Sequence, residues 1–293
     1  MSASPATPGS RVTVTTLARK KADGEPIVMV TAYDYPGARA AEAAGVDAVL
    51  VGDSGAMTVL GYDSTVPVSV EEMLMLTAAV RRGLTTPLLV ADLPFGSYEA
   101  SDEQAVRTAQ RFVKEAGCDA VKVERGGTTA DRARAIVAAG IPVMGHVGLT
   151  PQSVGALGGY RAQGRTAVAA RDVHDAAIAL QEAGCFALVL EAFPSEATAA
   201  IMPALSLPVI GIGAGSATDG QVLVFHDLLG INDGHQARFV KRYAELGAAI
   251  TAGIAAYADE VRTGAYPAPE HGYAMAPGEA ERLRAMLTDP GGI

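Results

Sequence analysis

Ala48-Val49-Leu50-Val51-Gly52-Asp53-Ser54, Pro87-Leu88-Leu89-Val90-Ala91-Asp92-Leu93-Pro94 and Ala120-Val121-Lys122-Val123-Glu124 decide the fold. Each is a mostly apolar run that reaches an acid. Parallel strands covered by helices are buried on both faces, so they read as continuous apolar runs rather than alternating ones. Side chains at the C-terminal ends of such strands converge on one rim, where α/β proteins build their sites. Three carboxylates on one rim repel each other unless a cation lies between them. The three runs therefore predict a hard divalent metal site with oxygen ligands, Mg²⁺ first.

Working outward, eight apolar runs can be placed, at 26–31, 48–51, 87–91, 120–123, 141–145, 186–190, 207–212 and 221–225. Ala-rich stretches of helical period lie between most of them. One spans 102–116, with Ser101 as N-cap and Gly117 as stop. Others span 129–139 before Gly140 and 171–183 before Gly184. Strand, helix and glycine stop, repeated about eight times, predict an α/β fold of the (β/α)₈ TIM-barrel type, with an open doubly wound sheet as the alternative. The last link is irregular. Too little chain separates 212 from 221 for a crossover helix, so either a very short helix follows Gly211-Ile212-Gly213-Ala214-Gly215 or the eighth strand lies elsewhere. That glycine loop lacks the spacing of a dinucleotide fingerprint and reads as a tight turn. The stretch 238–263 has helical period. After Gly264, Pro267, Pro269, Pro277 and Pro290 predict a partly extended segment. The division expected is a disordered tail at 1–10, one barrel domain with C-terminal helices at 11–273, and a tail at 274–293.

With 293 residues, 49% of them apolar and 19% charged, the chain can bury a large core. A net charge of −9 without a basic cluster argues against nucleic acid or an anionic membrane as partner. No apolar run is long enough for a bilayer, and the first ten residues lack a signal-peptide core, so a cytoplasmic location is expected. Cys118 and Cys185 each follow an Ala-Gly helix end and read as small buried hydrophobes rather than ligands or a disulfide.

Asp53, Asp92 and Glu124 taken singly could cap helices or pair with arginines; at the ends of consecutive strands they favour a shared metal. Lys122 lies two residues before Glu124 and shares its face, so it is either an ion-pair partner or a clamp for a substrate carboxylate. Glu191 closes Ala187-Leu188-Val189-Leu190-Glu191 and reads as a base for an acidified α-proton or as a fourth structural acid. His146 closes Pro142-Val143-Met144-Gly145-His146 and reads as a substrate contact or a core histidine, not as a ligand. His226 has the same ambiguity.

Longer strings carry a resemblance. Thr31-Ala32-Tyr33-Asp34-Tyr35, Val51-Gly52-Asp53-Ser54, Asp63-Ser64-Thr65-Val66-Pro67, Ala91-Asp92-Leu93-Pro94-Phe95, Gly145-His146-Val147-Gly148-Leu149-Thr150-Pro151-Gln152-Ser153, Gly158-Gly159-Tyr160-Arg161-Ala162-Gln163-Gly164-Arg165 and Gly211-Ile212-Gly213-Ala214-Gly215 occur in order. Together they resemble the ketopantoate hydroxymethyltransferase family over about 11–271. The resemblance implies a barrel of the phosphoenolpyruvate/pyruvate-binding superfamily and a homo-oligomer, commonly a decamer. It implies one Mg²⁺ per subunit on Asp53, Asp92 and Glu124. The keto acid 3-methyl-2-oxobutanoate would be held around Asp53, Ser54, Asp92, Lys122 and His146, and Glu191 would be the general base. The co-substrate would be 5,10-methylenetetrahydrofolate, giving 2-dehydropantoate for pantothenate and coenzyme A synthesis. The chain departs from the family where Arg125 interrupts Glu124-Arg125-Gly126-Gly127 and at Glu270-His271-Gly272-Tyr273, which is followed by an added tail. Two alternatives remain: a C–C lyase of the isocitrate-lyase-like superfamily, which needs an acid/base thiol in a rim loop, and a non-catalytic barrel.

Overall fold

The structure is a computed structural model and describes residues 10–125, 128–232 and 237–288. Eight strands follow the apolar runs: β1 Ile27–Thr31, β2 Ala48–Val51, β3 Leu88–Asp92, β4 Ala120–Glu124, β5 Val143–Gly148, β6 Ala187–Glu191, β7 Val209–Ile212 and β8 Gly220–Leu223. They pair in chain order, all parallel, and β8 returns to β1 to close the barrel. The open-sheet alternative is excluded by that closure.

Alternation along each strand divides the core in two. Met29, Leu50, Leu88, Val90, Ala120, Met144, Ala187, Val189, Ile210 and Val222 pack together inside the barrel, joined by Leu17 from the helix Val14–Asp23. Val49, Val51, Leu89, Ala91, Val121 and Val123 face the surrounding helices. The same period carries the inward series on to the rim. Leu88 and Val90 lead to Asp92, Ala120 leads to Lys122 and Glu124, Met144 leads to His146, and Ala187 and Val189 lead to Glu191. The interior is apolar until its last layer, which is ionisable.

Helix limits follow their local signals. Ser101 caps Asp102–Arg111 by accepting from the Gln104 amide, the helix continues as a wider turn over Phe112–Ala116, and Gly117 ends it at φ 74°. Gly140 and Gly184 also take positive φ after Thr128–Ala138 and Ala167–Glu182. The irregular link has no helix at all. Residues 213–219 turn back along β7, Asp219 exchanging bonds with Val209, whose carbonyl accepts from its amide (2.9 Å) and whose amide donates to its carboxylate (2.8 Å). The eighth strand, Gly220–Leu223, overlaps the expected run 221–225, whose Phe225 instead opens the short helix Phe225–Leu228.

The helix expected at 238–263 starts only at Leu246; 237–245 is not helical, and Tyr243 N donates to Leu228 O there. Residues up to 244 form one compact unit and those from 245 a second. In the second, Tyr257 and His271 both stack against Tyr266. Its last element, Glu279–Thr288, is helical where the prolines suggested extended chain, because no proline falls within those ten residues. The expected tail at 1–10 falls outside the described residues except for Ser10, as do 289–293 of the expected C-terminal tail and Gly126-Gly127 beside Arg125. Among the described residues no helix is long and apolar enough to cross a membrane.

Cys118 and Cys185 are free and buried. They enter β4 and β6 from the N-terminal end, opposite the acids.

Gly148 ends β5 at φ +91°, and a Cβ there would lie 2.2 Å from the Glu191 carbonyl oxygen. That oxygen accepts from Leu149 N at 2.9 Å. Gly148→Ala is therefore expected to destabilise the barrel by about 2–4 kcal/mol, through the left-handed backbone and the overlap together. Urea denaturation of variant and parent measures this. A loss below about 0.5 kcal/mol would mean the β5–β6 junction relaxes freely.

Candidate active site

Asp92, Glu124 and Glu191 end the inward series of their strands, Lys122 and His146 stand one inward position before the ends of theirs, and Asp53 follows β2 by two residues. Asp53, Asp92 and Glu124 are all buried and each offers one carboxylate oxygen within 4.8 Å of the others. The Asp53 backbone N–H donates to Asp92 Oδ2 at 3.0 Å. Lys122 Nζ, with only 3% of its side chain exposed, lies 2.9 Å from Asp92 Oδ1 and 3.3 Å from Glu124 Oε1. His146 extends the chain of contacts. Its Nδ1 is 3.1 Å from both Lys122 Nζ and Glu124 Oε1. Its Nε2 is 3.2 Å from Glu191 Oε2, near enough for an ion pair although outside good hydrogen-bond geometry.

The charges explain the proton affinities. Burial pushes the Asp53 carboxyl well above the usual carboxylate range, and Glu124 and Asp92 push it further. Burial also raises Asp92 against the pull of Lys122. Glu124 goes the other way, to about 2, because Lys122 and His146 outweigh its burial. Burial lowers Lys122, but Asp92, Glu124 and Asp53 together leave it above the usual lysine value. His146 reaches about 9, burial and Lys122 being overcome by Glu124 and Glu191. Three carboxylates thus face one ammonium and one imidazole. Asp53 is the acid left without a cation partner, and burial together with Glu124 and Asp92 raises its proton affinity. An all-carboxylate donor set of this kind, short of positive charge and with no sulfur, fits a hard divalent cation.

Two residues without an assigned role in Sequence analysis, Gln152 and Tyr98, complete the cluster. Gln152 donates from its backbone N–H to Glu124 Oε2 (3.0 Å) and from its side-chain amide to Asp53 Oδ2 (3.0 Å) and the Leu93 carbonyl (2.9 Å). Its amide oxygen accepts from the Tyr98 hydroxyl (2.7 Å), which itself accepts from the Glu124 N–H (3.2 Å). Gln152 therefore fixes two of the three acids. Ser54 lies beside Asp53 but turns its hydroxyl to Tyr33, 2.8 Å away. His226 stacks on Tyr33 and Phe225, half buried, and is not part of the acid cluster.

The family model described as ketopantoate hydroxymethyltransferase matches residues 11–269. The chain belongs to the ketopantoate hydroxymethyltransferase family. The 3-methyl-2-oxobutanoate hydroxymethyltransferase of Moorella thermoacetica is 54% identical over 90% of this chain and 98% of its own. That of Carboxydothermus hydrogenoformans is 51% identical over 93% and 99%. A mitochondrial relative from Arabidopsis thaliana is 52% identical over 91% and 79%. Among solved structures, a phosphonopyruvate hydrolase complexed with oxalate and Mg²⁺ has a TM-score of 0.58 at 15% identity, covering 94% of this chain and 98% of its own. A 2,3-dimethylmalate lyase of the PEP mutase/isocitrate lyase superfamily scores 0.56 at 18%, with the same coverage. These two share the barrel fold of that superfamily with the chain.

Ketopantoate hydroxymethyltransferase membership agrees with the position of the thiols. The lyase alternative needs a cysteine at the acid rim, whereas both cysteines of this chain lie at the other end, their thiols pushed up to about 12, chiefly by burial. Gln152 sits in Thr150-Pro151-Gln152-Ser153, and a polar residue in the turn directly after β5 was the one signal the sequence offered for it.

With Mg²⁺ as the cation that the acid triad would hold, replacing Gln152 by alanine is expected to weaken its binding about 10- to 100-fold, the affinity carried by partners that orient ligating carboxylates. Titration calorimetry reads it directly. Parent-like affinity in a folded variant would show that the acids keep their places without Gln152.

Proposed function

We propose that the chain transfers a hydroxymethyl group from 5,10-methylenetetrahydrofolate to 3-methyl-2-oxobutanoate, giving 2-dehydropantoate and tetrahydrofolate, with Mg²⁺ on Asp53, Asp92 and Glu124. The observation that carries the reading is the meeting of a buried carboxylate triad, an ammonium and Glu191 on one rim. Family membership supplies the reaction.

Bound to the three acids, a divalent cation supplies Lewis acidity toward the keto oxygen of the substrate. Lys122 Nζ holds the substrate carboxylate, with Ser54 on the same side. Glu191 removes the proton from C3, and His146 Nε2, 3.2 Å from Glu191 Oε2, holds that carboxylate toward the substrate. The C3 carbanion forms a bond to the one-carbon unit, both bonds from that carbon to the folate nitrogens break, water supplies the new hydroxyl, and the proton taken by Glu191 and the second proton of that water end on the two nitrogens. Gln152 keeps Asp53 and Glu124 oriented throughout. The reading includes a cytoplasmic homodecamer whose partners are small molecules; the family resemblance implies the assembly, and the acidic composition supports only the lack of nucleic-acid or anionic-membrane partners.

Proton NMR of 3-methyl-2-oxobutanoate in D₂O, with protein and no folate, tests the first chemical step. Loss of the C3 proton signal that depends on Mg²⁺ is expected. Glu191→Gln should abolish the exchange by a factor of at least about 10², while keto-acid and Mg²⁺ binding persist. Exchange that survives in the variant would remove Glu191 from the role of base.

A further inference from the structure

Tyr33 and His226 stand at the exit end of the strands, and the reaction proposed above uses neither. Tyr33 follows β1 by two residues, as Asp53 follows β2, and His226 lies three residues past β8. β1 pairs with both of those strands. Tyr33 is buried, with 3% of its surface exposed, and its hydroxyl lies 2.8 Å from Ser54 Oγ. Its ring packs on the turn that carries Ser54, where a Cβ at Gly55 would lie 2.7 Å from Tyr33 Cδ1. The ring also stacks on His226, with 5.5 Å between centroids.

Ser54 in turn borders the acids. A Cβ on Gly52 would lie 2.8 Å from Ser54 Oγ and 3.6 Å from Asp92 Oδ2, so both oxygens flank one point. The direction of the bond between the two hydroxyls then matters. A serine hydroxyl has one proton and two lone pairs. If Ser54 donated to Tyr33, that proton would be spent, and only lone pairs would remain for an incoming carboxylate. If Tyr33 donates, Ser54 keeps its proton. A phenol is the more acidic hydroxyl and so the stronger donor. Burial pushes the Tyr33 hydroxyl up to about 12, against contacts with Ser54, Thr31 and Thr58, so it stays protonated. Thr58 does not compete for this role, because its hydroxyl donates to the Ser54 carbonyl at 3.1 Å. Hydroxyls bonded in series also polarise each other, which strengthens the last donor of the chain.

We propose that Tyr33 is a positioning residue for the keto-acid carboxylate: it donates to Ser54 Oγ, fixes that hydroxyl, and leaves the Ser54 proton for the substrate. The inference rests on the reading of Ser54 and Lys122 as the carboxylate contacts. Lys122 supplies the charge there, and the pair Tyr33 and Ser54 supplies the direction.

The test is a double-mutant cycle of Tyr33→Phe and Ser54→Ala. It is read by calorimetry of 3-methyl-2-oxobutanoate binding with Mg²⁺ present, and by C3 proton exchange without folate. Tyr33→Phe keeps the ring against Gly55 and His226 and removes only the hydroxyl. It should weaken keto-acid binding and raise the KM for exchange about fivefold, with the kcat for exchange and the Mg²⁺ affinity in place. Ser54→Ala should weaken binding at least as much, and the double variant no further than Ser54→Ala alone. Parent-like binding in Tyr33→Phe overturns the proposal, and so do losses that multiply in the double variant. A lowered urea midpoint with an unchanged KM overturns it as well, since Tyr33 would then only pack. If the parent binds the keto acid without exchanging C3, the reaction proposed above fails while the binding cycle still decides the role of Tyr33. If the parent does not bind the keto acid with Mg²⁺, both fail.

Discussion

A buried ammonium surrounded by carboxylates is the interaction on which the active rim depends. Lys122 has almost no contact with water, and an isolated charge there would be costly. Asp92 and Glu124 make it tolerable, and it makes them tolerable in turn. Removing one partner of such a set leaves the others buried and unpaired, which is why groups of this kind act as a unit. The barrel holds the set because parallel strands end at one level, so side chains distant in sequence meet without loops having to carry them. Asp53 remains the surplus acid. A carboxylate triad with one acid more than the neighbouring cations match fits a hard cation from outside.

The two ends of the barrel use acids in opposite ways. Asp47, Asp119 and Asp219 precede β2, β4 and β8, and each accepts the first or second amide of a neighbouring strand, from Val28, Leu89 and Val209. Each is also matched by a base: Lys20 at 2.6 Å, Arg11 and Arg81, and Lys21 at 2.7 Å. Those acids are fully satisfied and brace the strand entries. At the exit end the acids outnumber the bases. The contrast gives a physical ground for treating one end as scaffold and the other as site. It also explains why a strand-flanking acid in this sequence carries no meaning until its end of the strand is known.

Rigidity at the rim comes from close backbone approach as much as from hydrogen bonds. Gly148 admits the Glu191 carbonyl where any side chain would collide, and Gly164 does the same for the Phe193 ring. Ala192 takes a positive φ of 46° directly after Glu191, so the chain turns sharply once the last inward residue is placed. These contacts set the height of Glu191 relative to His146. They also leave the loop through Arg161 and Arg165 draped from the β5 exit to the β6 exit.

The sequence by itself determined the strands, the glycine stops at 117, 140 and 184, and the acids that end the inward series. These are local facts. An apolar run, an N-cap serine and a glycine at positive φ act within a few residues of themselves. It also carried the family, through strings too long to arise by chance. The tertiary structure alone decided that Asp53, Asp92 and Glu124 approach within 4.8 Å, that His146 links Lys122 to Glu191, and that Gln152 grips two acids from a loop. It alone showed a β7–β8 link without a helix and a C-terminal helix beginning at Leu246 rather than 238. The meeting of the rim residues depends on barrel closure, in which β1 pairs with a strand some 190 residues away, as the bond from Phe225 N to Thr31 Oγ1 illustrates. Periodicity records which face a residue takes, but not which distant residue shares that face, because that is settled only when the sheet closes on itself.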